Sequence, residues 1–151
     1  MPRFLTFLLL LLASPVAAQA PDPRQEVEAT IQRLFDAMRA GDSASVRAVF
    51  HPAARLGSAV IRDGVASVRP DDPAGFIRAV GGPRDAVWDE RIAGLRIEID
   101  GPLASAWMEY AFYLGDRRNH CGVNAMQLVR MPAGWQIVSL IDTRRQEGCA
   151  A

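Results

Sequence analysis

Residues 119–145 constrain the fold more than any other part of the chain. Two runs rich in β-branched and apolar residues flank the turn sequence Met131-Pro132-Ala133-Gly134, and the second run opens on Trp135 and closes on Asp142. Because glycine supplies a positive φ without steric cost, this punctuation predicts a β-hairpin. A chain with a long hairpin near its end is expected to build much of its core on an antiparallel sheet.

The first residues have the three-part pattern of a secretory signal peptide. A basic start at Arg3 precedes an apolar run over 4–12 and a region rich in small residues over 13–20. We predict residues 1–18 as the signal peptide, with cleavage before Gln19; cleavage after Ala20 is the poorer choice. The apolar run is shorter than the roughly 20 residues that span a bilayer, which argues against an uncleaved anchor. The expected location is periplasmic or secreted.

Residues 19–151 fit the size of a single domain. Seventeen basic and seventeen acidic residues cancel, so no long-range field would attract a polyanion, and nucleic acid is not an expected partner. No second stretch is apolar and long enough to enter a membrane, so no membrane contact is expected after signal cleavage. A domain of this size can bury an adequate core, and we expect neither a metal nor a cofactor.

Cys121 and Cys149 are the two cysteines of the chain. An even count in an exported protein predicts a disulfide, because oxidising compartments preserve such bonds. Zinc is a poorer interpretation, since structural sites use four N or S ligands and the two histidines are far apart in sequence. The spacing also differs from the Cys-x-x-Cys of catalytic thiol pairs.

Helices are predicted first and strands last. An apolar stripe at i, i+4, i+7, i+8 and i+11 predicts one helix with a buried face, formed by Val27, Ile31, Leu34, Phe35 and Met38. Gly41 ends this helix, Asp42 caps a second one, and Pro52 stops the second after His51.

The remaining pattern alternates turns and strands. Short strands over 56–61 and 65–68 turn at Asp63-Gly64, and Asp72-Pro73 begins a third helix that ends at residue 80. Longer strands are predicted over 86–100, 103–114, 117–130 and 135–142. The order is α-α-β-β-α-β-β-β-β, an α+β fold in which about three helices cover one face of a curved antiparallel sheet.

Three local sequences carry a family resemblance: residues 35–42, residues 49–56 and the C-terminal hairpin. In this order they resemble the nuclear transport factor 2-like superfamily, which includes ketosteroid isomerases and polyketide cyclases, and its exported lumazine-binding-like members. The resemblance implies a cone-shaped domain with a central pocket. It also implies that Gly57 or Ser58 stands where ketosteroid isomerases have their Asp base, which argues against that specific reaction.

Strand alternation suggests which side chains line the pocket, since residues two apart share a face. Met108, Tyr110 and Phe112 share one face, and so do His120, Gly122, Asn124, Met126 and Leu128. Small-ligand sites combine an apolar wall with a few convergent polar groups, so the candidate ligand-binding residues are Tyr110, His120, Asn124 and Asp142. His51, at the end of the second helix, is expected to face the same opening. His120 and Asp142 are the candidate catalytic residues.

Each candidate also has a structural interpretation. His120 lies near a turn and could be solvated, Asn124 could satisfy backbone groups, and Asp142 could form an ion pair with the following arginines. Tyr110 could belong to the core. His51 could stabilise the end of the second helix.

Three functions compete at this level. The first is an exported domain that binds a small apolar or aromatic molecule of unknown identity. The second is a proton-transfer enzyme acting on a hydrophobic carbonyl compound, with His120 oriented by Asp142 as its base. The third is a protein-interaction module.

A homodimer is expected through the outer face of the sheet. Val123, Ala125 and Val129 lie opposite His120, and alternation places Val138 and Leu140 opposite Trp135, Ile137 and Ile141. Both faces of the hairpin are thus apolar, and helices can cover only one of them.

Overall fold

The computed structural model describes residues 22–149, so the predicted signal peptide lies outside the described residues. The chain begins with α1 (Pro23–Ala40) and α2 (Ser43–Val49), which lead into strands β1 (Phe50–Arg62) and β2 (Val65–Asp71). After α3 (Pro73–Gly81) come four strands: β3 (Trp88–Asp100), β4 (Leu103–Leu114), β5 (Arg117–Met131) and β6 (Gly134–Thr143). This order confirms the predicted α+β fold.

The six strands form one curved, unclosed sheet in the order β2-β1-β6-β5-β4-β3. Neighbours pair antiparallel except β1 and β6, which are parallel, so the sheet is mixed rather than purely antiparallel. β1 starts at Phe50, earlier than the sequence suggests, because Phe50 already pairs with Ile137 of β6. Its pairing is irregular up to Arg55, across a segment that contains Pro52, which has no N–H to donate.

The helices pack on the concave face of the sheet as the apolar stripe predicts. Asp22, Asp42 and Asp72 each accept hydrogen bonds from the first turn of the helix that follows them. The predicted face of α1 is buried in full: Val27, Ile31, Leu34, Phe35 and Met38 are at most 4% exposed. These residues pack with Met108, Met126, Leu128 and Ile137 of the sheet in one hydrophobic core.

A bulge in β6 changes which side chains face the core. Gln127 pairs with Ser139 but Leu128 pairs with Ile137, so Val138 is an extra residue in the ladder. Leu140 therefore packs against the core on the same side as Ile137, and Ile141 turns outward with 41% exposure. The alternation predicted from sequence is wrong beyond Ile137 because of this bulge.

The disulfide predicted from the cysteine count joins Cys121 to Cys149. Two backbone hydrogen bonds between Cys121 of β5 and Arg145, each 2.9 Å long, also hold the segment that follows β6. The C-terminal segment is thus fixed to β5. Among residues 22–149, no helix is long and apolar enough to cross a membrane.

Alkylation provides a direct check of the bridge. Intact mass spectrometry of the unreduced, unfolded protein should show no added alkyl group, and two groups after reduction. Alkylation of both cysteines without reductant in exported protein would contradict the bridge.

Candidate functional site

A cavity of about 440 Å³ opens between α1, α3 and the inner face of the sheet. One part of its wall is apolar and largely aromatic, made by Leu34, Phe35, Met38, Leu56, Phe76, Trp88, Phe112 and Leu140. The polar part consists of Asp71, Asp72, Glu90, His120, Asn124, Asp142 and Arg144. A cavity of this size, with an apolar wall and a few converging polar groups, is typical of small-ligand sites.

Asn124 and Asp142 are neighbours on β5 and β6 and both point inward. Asn124 is 3% exposed, and its Nδ2 donates a 2.7 Å hydrogen bond to Oε1 of Glu90 on β3. This hydrogen bond crosses the inner face of the sheet and joins strands that are not adjacent.

Asp142 is the most enclosed acid of the cavity, with a side chain 8% exposed. Its Oδ2 accepts hydrogen bonds from the Tyr110 hydroxyl at 3.1 Å and from Nε of Arg144 at 2.7 Å. Its Oδ1 is buried and has no hydrogen-bond partner among the described residues. A buried oxygen without a hydrogen-bond partner is costly, and this atom has the capacity to accept one further hydrogen bond.

Glu90 is the site residue that the sequence candidates lack. It faces the cavity between Trp88 and Ile92, which lie on the same face of β3. Burial raises the pKa of Glu90 to about 7, and the charge of Asp142 acts in the same direction, while Asn124 and Arg144 oppose the shift. An acid midway between two apolar residues at period two is a sequence signal that could have identified it.

Tyr110 supports the site from behind the wall. The ring is 4% exposed and is not among the residues that line the cavity. Its hydroxyl has one hydrogen to donate, and this hydrogen is shared between Oδ2 of Asp142 and the carbonyl oxygen of Thr143, which is 2.9 Å away. Burial and the charges of Asp142 and Glu90 raise the pKa of Tyr110, so the hydroxyl stays a donor.

His120 lines the cavity but does not pair with Asp142. Its Nδ1 is 2.8 Å from Oδ1 of Asn119, and its ring packs on Tyr110 and Phe112 at centroid distances of 5.6 and 5.0 Å. Burial and the charge of Arg144 lower the pKa of His120, which favours the neutral ring. Within residues 22–149, no hydrogen bond links His120 to Asp142, so the predicted base and orienting acid are not assembled.

The structure places His51 away from the cavity. Phe50 turns into the core, and the next residue of the strand therefore faces the other way. The Nδ1 of His51 accepts a 3.1 Å hydrogen bond from the backbone N–H of Ala53. Its observed contact is thus local to the start of β1.

Metal coordination has no obvious site in the described part of the chain. No group of three or more His, Cys, Asp or Glu side chains between residues 22 and 149 is arranged to hold a metal ion.

Comparisons with known proteins agree with this architecture. The model of a family described as "Putative lumazine-binding" matches residues 22–141. No curated protein sequence matches the chain. A solved nuclear transport factor 2-like protein with a cystatin-like fold from Novosphingobium aromaticivorans is 14% identical, with a TM-score of 0.66, over 85% of this chain and 84% of the other.

Two further solved structures have the same fold. One, from Streptomyces avermitilis, is named a "putative dehydratase" of the nuclear transport factor 2-like family; it is 14% identical, covers 82% of this chain and 96% of its own, and has a TM-score of 0.60. The other is a protein of unknown function from Mycobacterium tuberculosis. It is 15% identical, its match covers 81% of this chain and 71% of its own length, and the TM-score is 0.66. Identities this low indicate the fold alone.

Proposed function

The chain belongs to the "Putative lumazine-binding" family of nuclear transport factor 2-like domains, and on that premise we propose that it is an exported small-molecule-binding protein. The observation that carries the proposal is the cavity, in which an aromatic wall faces the polar group of Glu90, Asn124 and Asp142. A small apolar or aromatic molecule with one polar end fits this division. The open cavity also favours ligand binding over an interaction module in which the pocket would be filled.

Export is the second part of the proposal. It is supported by the signal-peptide pattern of residues 1–18 and by the disulfide, a bond typical of oxidising compartments. N-terminal sequencing of periplasmic or secreted protein should give Gln19 as the first residue. Full-length protein retained in the cytosol would contradict export.

Ligand binding can be tested with protein purified from its source. Native mass spectrometry should detect a small molecule that leaves on denaturation, and a thermal-shift screen with cationic, neutral and anionic aromatic compounds should find stabilising ones. Ala79→Trp, at an exposed lining position on α3, should block the cavity and abolish both effects. Ala29→Trp, on the exposed face of α1 away from this cavity, is the matched control.

The proposal fails on a specific result. No co-purified molecule, together with no stabilisation by compounds of any charge, would argue that the cavity is not a binding site. Equal binding by Ala79→Trp and the native protein would place the ligand elsewhere.

A second candidate function is proton transfer on a hydrophobic carbonyl compound, and Glu90 is the observation that favours it. A carboxyl with a pKa of about 7 can accept and return a proton near neutral pH. Glu90 thus replaces His120 with Asp142 as the candidate base. The guanidinium of Arg144 lies in the same wall and could donate to a developing enolate oxygen.

Isotope exchange separates this candidate from simple binding. With 1-tetralone as the probe in D₂O, ¹H NMR would measure loss of the protons next to the carbonyl. Acceleration by the native protein that disappears in Glu90→Gln would support the enzyme. Exchange at the buffer rate with the native protein would count against it.

We also propose that the protein forms a homodimer through the outer face of the sheet. Trp107, Ala125 and Ile141 are register neighbours on β4, β5 and β6 and form an apolar strip there. Trp107 is 47% and Ile141 41% exposed, and burial of such a strip in a partner would remove apolar area from water.

Light scattering at micromolar concentration should give the mass of a dimer. Trp107→Arg should shift the protein to monomer, while Ala29→Arg on the exposed face of α1 should leave the dimer intact. A strictly monomeric native protein would refute the dimer and favour the outer face as a site for a different protein.

A further inference from the structure

The charge of the cavity wall is unbalanced although the whole chain is neutral. Four carboxyl groups line it, those of Asp71, Asp72, Glu90 and Asp142, against the single guanidinium of Arg144. The seventeen acidic and seventeen basic residues of the chain cancel. The negative sign is therefore local to the cavity.

The two acids at the mouth are already engaged. Asp72 accepts hydrogen bonds from the backbone of Ala74 and Gly75 at the start of α3. Asp71 lies 3.7 Å from a guanidinium nitrogen of Arg144 and 3.9 Å from one of Arg69. Asp72 also lies 3.5 Å from a guanidinium nitrogen of Arg78, so arginines offset both mouth carboxylates, while the deeper pair is left to contact a ligand.

The two deeper acids have free acceptor capacity. Oδ1 of Asp142 has no partner among the described residues, and the side chain that carries it is 8% exposed. Glu90 receives one hydrogen bond, from Asn124 to its Oε1, in the described part of the chain. The empty positions on both groups are acceptors, and a carboxylate accepts most strongly from a charged N–H donor.

Arg144, the one cation of the wall, is already committed to acids. Its Nε donates to Asp142 at 2.7 Å, and its Nη2 lies 3.7 Å from Oδ2 of Asp71. An anionic ligand that approached Arg144 would also meet the carboxylates on both sides of it. Like-charge contacts of this kind strongly disfavour binding of an anionic ligand.

The apolar wall suits a cation as well. Phe35, Phe76, Trp88 and Phe112 present aromatic rings to the cavity, and the rings of Trp88 and Phe112 meet edge to face at 6.1 Å. Aromatic faces attract a cation within about 6 Å of the ring centre.

We propose that the ligand is a small organic cation, an aryl-substituted alkylamine or an aryl amidine, whose protonated nitrogen donates to Oδ1 of Asp142 and to Glu90. Its apolar body lies against the aromatic wall. This inference rests on the proposed binding function and names the chemical class that the site selects.

Three compounds of nearly equal shape and different charge test the selection. They are naphthalene-2-carboxamidine, naphthalene-2-carboxamide and naphthalene-2-carboxylate, and isothermal titration calorimetry at pH 8 would measure their affinities. The amidine should bind at least about tenfold more tightly than the neutral amide, a difference of about 1.4 kcal/mol, and the carboxylate should bind most weakly.

Two variants of the chain connect the preference to the site. Glu90→Gln keeps the size of the side chain and should lower the amidine affinity about tenfold while changing the amide affinity less than about twofold. Ala79→Trp should abolish binding of all three compounds. Circular dichroism would establish that both variants are folded.

Several outcomes overturn the inference. Tightest binding by the carboxylate would show that Arg144 decides selection, and equal binding of all three would show that the apolar wall alone does. Absence of amidine binding would also overturn it. A neutral or anionic compound found to bind in the same cavity would then leave the proposed binding function standing, whereas binding by no compound of any charge would remove both.

Discussion

Replacing Gly122 by alanine should lower the free energy of unfolding by about 3–5 kcal/mol, the sum of about 1–3 for overpacking and about 1 for each of two lost hydrogen bonds. A Cβ at this position would overlap the carbonyl oxygen of Thr143 and stand 2.8 Å from Cε1 of Tyr110. The thermal midpoint should fall by about 10–15 °C in a domain of this size. Denaturant unfolding followed by circular dichroism would measure the change.

The neighbours of Gly122 cannot move aside without breaking other contacts. The carbonyl of Thr143 is held by the Tyr110 hydroxyl, which also bonds to Asp142. The next residues along, Cys121 and Arg145, are joined by two backbone hydrogen bonds. The alanine side chain therefore has to separate β5 from the C-terminal segment or displace the ring that positions Asp142.

Gly82→Ala is the matched control for this substitution. Gly82 has a φ of −79°, and a Cβ there would stand 3.4 Å from its nearest neighbour, the carbonyl oxygen of Arg78. The free energy of unfolding of Gly82→Ala should differ from that of the native protein by no more than about 1 kcal/mol. Equal effects of the two substitutions would contradict a steric requirement specific to Gly122.

The helices and the order of the elements along the chain could be predicted because their signals are local. The stripe from Val27 to Met38 repeats with the period of one helix, and Asp42 and Asp72 cap the next two helices with their own side chains. The parallel pairing of β1 with β6 has no such local signal. It joins segments on either side of five other elements, and only the packed fold brings them together.

The position of Asp142 illustrates how a bulge defeats alternation. Counting by two from Trp135 and Ile137 would place Asp142 on the outer face. The extra residue at Val138 reverses the parity, so Leu140 and Asp142 both point inward. A bulge is a property of the pairing between two strands, and the sequence of one strand does not specify it.

Glu90 is absent from the candidates predicted by sequence for a different reason. Its own strand places it on the face of Trp88 and Ile92, but β3 also has a bulge between Ala93 and Arg96, beyond which Ile97 takes the inner face. Read as one continuous strand, the segment has no consistent apolar face. The partner Asn124 comes from β5, two strands away, and it completes the site only after the sheet has curved.

Glu90→Gln should stabilise the folded protein in a strongly pH-dependent way. Burial raises the pKa of Glu90 from 4.5 to about 7 in the folded state, so the folded protein binds this proton more tightly than the unfolded chain does. Stability of the native protein therefore falls as pH rises from about 4.5 to about 7, and the full cost applies above that range. At about 1.4 kcal/mol per pKa unit, the cost reaches about 3 kcal/mol.

Glutamine removes the ionisation while its side-chain oxygen can still accept from Asn124. The difference in unfolding free energy between Glu90→Gln and the native protein should be near zero at pH 4 and rise to about 3 kcal/mol by pH 8. Urea unfolding at half-unit pH steps would trace this difference, and ¹³C NMR of the Glu90 carboxyl would give its pKa directly. Glu109→Gln, on the exposed outer face of β4, is the control and should give a small and nearly pH-independent difference. If the difference in unfolding free energy for Glu90→Gln were as independent of pH as that for Glu109→Gln, the Glu90 carboxyl would have to be well hydrated. Glu90 would then not be a proton acceptor near neutral pH.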